Sequence, residues 1–138
     1  MSTASEGPTD GVWCIVVAAG SGRRFGAPKQ FERIGDERVV DRSVRIAASV
    51  CDGVVLVLPS AAASEVVEHA TVTVAGGATR SESVRRGLDR VPPDAIVLVH
   101  DAARPLARPQ LFERIIAAVR DGAAAAVPVV AVADTIRD

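Results

Sequence analysis

A chain of 138 residues with a hydrophobic fraction of 49% is sufficient for one globular domain and too apolar for a disordered polypeptide. Its net charge of −1, with three phenylalanines and one tryptophan, argues against a nucleic-acid partner, which needs a basic face and stacking aromatic side chains. No apolar run reaches the roughly 20 residues of a membrane helix and no apolar leader precedes the first strand, so we predict a cytoplasmic protein without a membrane partner.

Apolar strands alternate with amphipathic helices along most of the chain. Residues 1–11 are polar and are predicted to form a disordered tail, while 12–138 would form one domain. Short apolar runs predict five strands: 12–18, 54–58, 71–74, 96–99 and 127–133. Apolar residues at helical spacing predict four helices: 39–50, 61–69, 79–90 and 109–120. In the third helix, Val84 and Leu88 are expected to face the core.

This alternation predicts an α/β fold with three layers, α/β/α, around a mostly parallel, Rossmann-like sheet. In such folds ligands bind beyond the carboxyl ends of the strands. The residues with the most suggestive chemistry follow four of the predicted strands, so they are expected to meet on one rim of the sheet.

The loop after the first strand has the composition of a phosphate-binding turn. Gly20 and Gly22 would let backbone N–H groups approach phosphate oxygens, and Arg24 and Lys29 would add positive charge. Lys29 is the only lysine among 16 basic residues. The loop matches neither the dinucleotide fingerprint, because Phe25 stands at the third glycine position, nor the P-loop. A plain turn with solvated arginines is the alternative.

The second segment begins with a diglycine at Gly76 and Gly77. Small residues there would leave room for a pyrimidine base, and Ser83 on the first helical turn could reach the same place. Thr79 and Glu82 form a capping box, which explains part of this pattern without any ligand.

The third segment places Asp101 directly after a buried strand. One carboxylate together with substrate phosphates is a common way to hold Mg²⁺, so Asp101 is the candidate metal ligand. Alternatively, Arg104 could neutralise Asp101 as a structural ion pair. His100 is expected to be a packed histidine at the strand end rather than a base or ligand.

Other catalytic patterns are absent from the sequence. It contains no evident Ser-His-Asp or Cys-His set and no zinc-binding spacing, and the well-separated Cys14 and Cys51 are expected to act as small buried hydrophobic residues. Transfer of a nucleotidyl group to a phosphate monoester needs no such set, because the monoester is largely a dianion at neutral pH.

With these segments in hand, the chain resembles the 2-C-methyl-D-erythritol 4-phosphate cytidylyltransferases, which have a nucleotidyltransferase fold. The matching motifs are Ala-Ala-Gly-x-Gly-x-Arg from position 18, Pro-Lys-Gln from 28, Gly-Gly from 76, Ser-Val from 83, Val-His-Asp-Ala-Ala-Arg-Pro from 99 and Asp-Thr from 134. The resemblance implies transfer of CMP from CTP to methylerythritol phosphate with release of pyrophosphate and with Mg²⁺ as cofactor. This reaction belongs to the non-mevalonate isoprenoid pathway.

The resemblance also implies site residues. Arg24 and Lys29 would stabilise the transition state, and Asp101 would bind the metal. The residues implied in nucleotide binding are Ala18, Ala19, Gly20, Gly22, Gly77, Ser83 and Ala102. Those implied in acceptor binding are Asp101, Arg104 and Thr135.

The chain departs from the family pattern in two respects. Ala78 stands where the family usually has an acidic residue, and the sequence ends before the family's projecting β-arm, which mediates homodimerisation. We therefore expect a fragment that lacks the dimerisation arm. Two alternatives stay open: a ribitol-5-phosphate or related pentitol-phosphate cytidylyltransferase, which more often has valine at the position of Ala103, and a nucleotide-binding module without catalysis.

Overall fold

The computed structural model describes residues 11–20, 29–104 and 107–127. The strands are β1 (Val12–Val17), β2 (Arg33–Ile34), β3 (Glu37–Arg38), β4 (Gly53–Leu58), β5 (Val72–Ala75) and β6 (Ile96–Asp101). The helices are α1 (Val39–Val50), α2 (Arg80–Leu88) and α3 (Pro109–Arg120), with short 3₁₀ turns at Lys29–Phe31 and Ser60–Ala62. Among the helices of these ranges, none is long and apolar enough to cross a membrane.

The main sheet has the strand order β5-β4-β1-β6, and every pair in it is parallel. Helices α1 and α3 pack on one face, where Val44 and Ile116 join the larger core cluster. Helix α2 packs on the other face, where Val84 lies against Ile15 and Val57. The predicted three-layer α/β/α fold with a parallel sheet is thereby confirmed. β2 and β3 form a separate antiparallel pair.

The two central strands account for the clearest sequence signal. β4 is buried at every position, and β1 at every position but Trp13. Strands covered on both faces consist of nearly continuous apolar residues, so their location follows directly from composition. β6 pairs with β1 and leaves Val97 and Val99 partly exposed. Of the predicted strand at 127–133, all but position 127 lies outside the described residues, as do residues 1–10 of the predicted tail.

The predicted helix over 61–69 is wrong. The chain forms only the 3₁₀ turn at Ser60–Ala62, and His69 has a φ of 71°. A helix through this position would need φ near −63°. Val67, two residues before His69, is buried in the core. Two residues after His69, Thr71 donates its N–H to Val54 O, and this bond aligns β5 with β4.

The expectation that Leu88 faces the core is also wrong, since its exposed fraction is 45%. Helix α2 turns Ser83 and Gly87 toward the sheet, and a Cβ added at Gly87 would lie 2.7 Å from Ile15 Cγ2. Leu88 is about 100° further around the helix and so points away. Val84 packs against the core as predicted.

The two cysteines are neighbours in space despite their separation in sequence. Cys14 is buried in β1, and Cys51 is half-buried at the end of α1. A hydrogen bond between the two thiols, together with burial, raises the pKa of Cys14 well above its usual value. The expectation of buried hydrophobic behaviour holds fully for Cys14 and partly for Cys51.

Candidate active site

A cleft of about 620 Å³ opens at the carboxyl ends of the parallel strands. Ligand pockets in proteins commonly have volumes of about 300 to 1,000 Å³, so the cleft can hold a nucleotide-sized molecule. Its lining combines the loop after β1, the start of α2 and the turn after β6. The lining residues are Val17, Ala18, Ala19, Gly20, Gln30, Gly77, Ala78, Thr79, Arg80, Ser83, Asp101, Ala102, Ala103 and Arg104.

The loop after β1 leaves the sheet in a fixed direction. Ala18 is buried, and its N–H donates to Val57 O over 2.8 Å. The side-chain amide of Gln30 donates to Ala18 O and Gly20 O, each over 2.8 Å. Among the residues that the structure describes, a Cβ built at Gly20 would meet no atom within 4 Å. The fold itself therefore does not require glycine at position 20, and open space is left above the backbone there.

The diglycine segment lies directly against this loop. A Cβ built at Gly76 would lie only 2.4 Å from Ala19 Cβ and 2.8 Å from Ser83 Oγ. Ser83 is buried, and its hydroxyl accepts a hydrogen bond of 3.1 Å from Gly77 N–H. Glycine at position 76 thus permits the close approach of two loops that line the same cleft.

Thr79 caps the start of α2 as its sequence predicts, but the second bond of the predicted capping box does not form. Thr79 Oγ1 accepts from Glu82 N–H over 3.1 Å, whereas the Glu82 carboxylate accepts from Ala78 N–H over 3.0 Å and not from Thr79 N–H. Arg86 donates to Gly76 O over 2.9 Å. These contacts hold the residues around Ala78 although the acidic side chain typical of the family is missing there.

Asp101 ends β6 at the rim of the cleft. Its carboxylate accepts a hydrogen bond of 3.0 Å from Arg80 Nε, and side chains of both residues are substantially exposed. The alternative pairing with Arg104 is wrong: that residue donates its backbone N–H to Asp101 O instead. Ala102 is fully buried, and both of its backbone polar groups are hydrogen-bonded: its N–H donates to Val17 O over 2.9 Å, and its carbonyl accepts from the hydroxyl of Ser43.

His100 packs as a strand-end histidine, as expected. Its ring meets Phe112 edge-on with 5.2 Å between the centroids. Burial lowers the pKa of His100 from its ordinary value. Because the ring packs on Phe112 and does not line the cleft, His100 supports the strand end before Asp101.

The structure brings together most of the predicted site residues that it describes. Those found lining the cleft are Ala18, Ala19, Gly20, Gly77, Ser83, Asp101, Ala102 and Arg104. Gly22, Arg24, Thr135 and the side chain of Lys29 lie outside the described residues. The backbone of Lys29 begins a 3₁₀ turn whose next residue, Gln30, lines the cleft.

Comparison with known sequences agrees with this geometry. The sequence model of the IspD family, described as 2-C-methyl-D-erythritol 4-phosphate cytidylyltransferase, matches residues 12–138. The chain belongs to the IspD family. The 2-C-methyl-D-erythritol 4-phosphate cytidylyltransferase of Streptomyces coelicolor is 44% identical over 89% of this chain and 51% of the relative. The enzyme of the same name from Frankia casuarinae is 42% identical over 92% of this chain and 51% of the relative.

Solved structures show the same fold as this IspD-family chain. The 4-diphosphocytidyl-2C-methyl-D-erythritol synthase of Anaerococcus prevotii superimposes with a TM-score of 0.66 at 28% identity, covering 79% of this chain and 51% of the other. The 2-C-methyl-D-erythritol 4-phosphate cytidylyltransferase of Thermus thermophilus gives 0.63 at 30% identity, covering 78% and 48%. The chain spans about half the length of the curated IspD relatives it matches.

A divalent metal fits the IspD cleft only as a metal–nucleotide complex. Within the described ranges, no group of three or more His, Cys, Asp and Glu residues could hold a metal ion. Among the described residues that line the cleft, Asp101 is the one that supplies a carboxylate, and Arg80 occupies one of its oxygens. One carboxylate plus triphosphate oxygens is a typical Mg²⁺ environment, so the residues present fit the ion when a nucleotide supplies the remaining ligands.

Proposed function

We propose that this chain forms the nucleotide-binding part of an enzyme that transfers CMP from CTP to 2-C-methyl-D-erythritol 4-phosphate, releasing pyrophosphate. The observation that carries the proposal is the convergence of the Gly20 loop, the Gly77–Ser83 contact and Asp101 on one cleft in an IspD-family chain. The proposed nucleotide-binding domain is 12–138, and the pathway is non-mevalonate isoprenoid synthesis. The cytoplasmic location and the family's homodimer remain predictions from the sequence.

The reaction balances without a general base. An oxygen of the acceptor phosphate attacks the α-phosphorus of CTP, a new P–O–P linkage forms, and the bond to the β-phosphate oxygen breaks. Pyrophosphate leaves with the electron pair of that bond. Because a phosphate monoester has its second pKa near 6, its attacking oxygen is already largely deprotonated at neutral pH. Positioning and charge stabilisation therefore supply the catalysis.

Support for the phosphate role comes from the loop after β1. Gly20 leaves open space above its backbone, and Gln30 holds the loop carbonyls away from it. Gly22, Arg24 and Lys29 would complete this subsite, with the two cations stabilising charge on the transition state and on pyrophosphate.

Support for the base and ribose roles comes from the opposite wall. Ser83 holds Gly77 through its hydroxyl oxygen, so its own hydroxyl hydrogen can donate to a cytosine acceptor. Ala102, fully buried and fixed by two backbone hydrogen bonds, would support the floor of the cleft beneath the nucleotide. Arg104 and Thr135 would face the acceptor phosphate.

Asp101 is the proposed ligand of a Mg²⁺ ion that enters with the triphosphate. A bound Mg²⁺ ion supplies positive charge to the phosphate oxygens. Arg80 Nε holds one of the two carboxylate oxygens of Asp101 at 3.0 Å, so the guanidinium competes with Mg²⁺ for the negative charge of this carboxylate.

Pyrophosphate release from CTP tests the proposal. The chain is incubated with CTP and Mg²⁺, and with 2-C-methyl-D-erythritol 4-phosphate or ribitol 5-phosphate in parallel. Release that depends on methylerythritol phosphate supports the proposal, and preference for ribitol 5-phosphate favours a pentitol-phosphate enzyme instead. CTP binding without pyrophosphate release in the presence of either acceptor indicates a nucleotide-binding module. The half-length match to the relatives also allows this outcome. Absence of CTP binding would contradict the nucleotide role itself.

A further inference from the structure

Gln30 is a buried polar residue whose side chain contacts the loop after β1. Its exposed fraction is 6%, and its amide nitrogen donates to Ala18 O and Gly20 O at 2.8 Å each. Both amide hydrogens are therefore committed to one short stretch of backbone. A buried glutamine that bonds to two carbonyls constrains the two peptide planes that carry those carbonyls.

The two hydrogen bonds set the direction of the loop N–H groups. In a planar trans peptide, the carbonyl of one residue and the N–H of the next point in opposite directions. Since Ala18 O points to Gln30, the N–H of Ala19 points away from it. Ala19 and Gly20 line the cleft, and the space beside Gly20 is open.

The turn that carries Gln30 is itself anchored to the core. Phe31 packs against the larger core cluster, and the Arg38 guanidinium lies over its ring at 5.7 Å. Glu32 O accepts from Val39 N–H over 2.8 Å, which joins the segment after the turn to α1. Gln30 thus connects the loop after β1 to a fixed support, and the residue directly before it is Lys29.

We propose that Gln30 is a positioning residue that holds the Ala18–Gly20 backbone, and with it the turn of Lys29, in the geometry that receives the triphosphate of a nucleotide. The inference rests on the proposed nucleotide role of the cleft. It assigns Gln30 no contact with the reacting atoms. Gln30 affects binding of the phosphates, because it holds the loop after β1. It does not affect binding of the base, because residues of α2 and β6 form that wall of the cleft.

The test compares Gln30→Met with Gln110→Met. Methionine keeps the approximate size of glutamine and removes both donors, while Gln110 is exposed on α3 and makes a matched control. Binding of CTP and of cytidine is measured by titration for the unmodified chain and both variants. We expect Gln30→Met to weaken CTP at least tenfold, to leave cytidine within about twofold, and Gln110→Met to change neither.

Equal weakening of CTP and cytidine would overturn the positioning role, because it would indicate general damage to the cleft. Unchanged CTP binding in Gln30→Met would also overturn it, while leaving the proposed function intact. If the unmodified chain binds no CTP, the proposed function fails. In that case, ¹⁵N relaxation of Ala19 and Gly20 still tests the loop: order parameters near 0.85 in the unmodified chain that fall below about 0.6 in Gln30→Met support it, and unchanged values contradict it.

A measurement on the unmodified chain tests the hydrogen bonds of Gln30 even if the Gln30→Met chain does not fold. The side-chain amide hydrogens of Gln30 should exchange with solvent far more slowly than those of Gln110, because the former are bonded in a buried site. Equal exchange rates for the two glutamines would overturn the proposed hydrogen bonding and the inference with it.

Discussion

The close approach of Gly76 to Ala19 allows a sharp prediction about two glycines, Gly76 packed between two loops and Gly20 in the lining of the cleft. Gly76→Ala would place a Cβ 2.4 Å from Ala19 Cβ and 2.8 Å from Ser83 Oγ. Carbon atoms in contact normally lie about 3.5 to 4.0 Å apart, so the two loops must separate by more than an ångström. Neither neighbour can rotate away, since one is an alanine methyl and the other a buried, hydrogen-bonded hydroxyl.

Overpacking of this kind costs about 1 to 3 kcal/mol in free energy of unfolding. Displacing Ser83 would also weaken its bond from Gly77 N–H, which is worth about 0.5 to 1.5 kcal/mol. Together these costs are about 1.5 to 4.5 kcal/mol, so with about 4 °C of melting temperature per kcal/mol in a domain of this size we expect Gly76→Ala to lower Tm by about 6 to 18 °C. Thermal unfolding followed by circular dichroism measures this shift.

Gly20→Ala is the matched control. Its Cβ would meet no atom of the described part of the chain within 4 Å, and the φ of Gly20 lies outside the left-handed region, so the free energy of unfolding should change by less than about 0.5 kcal/mol. The same methyl would occupy the space offered to a triphosphate, so CTP affinity should fall about tenfold or more. A Tm for Gly76→Ala equal to that of the unmodified chain would contradict the close packing at Gly76. A Gly20→Ala chain that binds CTP normally would contradict the phosphate role of the space beside Gly20.

Three further predictions concern charged groups. Lys29→Ala should lower turnover by about a hundredfold or more, as loss of a preorganised transition-state donor does elsewhere, whereas full activity in Lys29→Arg would show that the loop needs charge rather than lysine itself. Arg80→Gln should lower the Mg²⁺ concentration for half-maximal CTP binding by up to about fivefold, since an exposed ion pair is worth at most about 1 kcal/mol. A variant that needs more Mg²⁺ than the unmodified chain would contradict the competition between Arg80 and Mg²⁺ for Asp101. Burial lowers the pKa of His100, so the unfolded chain binds its proton first as pH falls, and stability should decrease below about pH 6.5. In urea unfolding at pH 7.5 and 5.5, His100→Asn should show a smaller loss than the unmodified chain, and an equal loss would contradict this.

Elements fixed by local signals could be predicted from the sequence. The observed bounds of α1 and α3 agree with the predicted 39–50 and 109–120, because each helix has an unbroken apolar face against the sheet. The central strands follow from continuous apolar runs covered on both sides. The segment 61–69 could not be predicted in this way, because its conformation depends on buried Val67 and left-handed His69 joining two adjacent parallel strands.

The site shows the same division between local and distant causes. Glycine and small residues at the strand ends identify the loops, so Gly20, Gly77 and Ser83 could be predicted. Gln30 could not, because its role depends on carbonyls 10 and 12 positions away along the chain. Arg80 was likewise missed, since its partner Asp101 lies 21 positions away on another strand. The only sequence signal for Gln30 was its place beside Lys29.

Titration of the chain with CTP in the presence of Mg²⁺, followed by NMR of the backbone amides, shows whether the nucleotide binds in this cleft. We expect one binding site and the largest shift changes at Ala19, Gly20 and Gly77, which lie on facing walls of the cleft. Saturable binding that leaves these three amides unchanged, or no binding at millimolar CTP, would contradict this expectation.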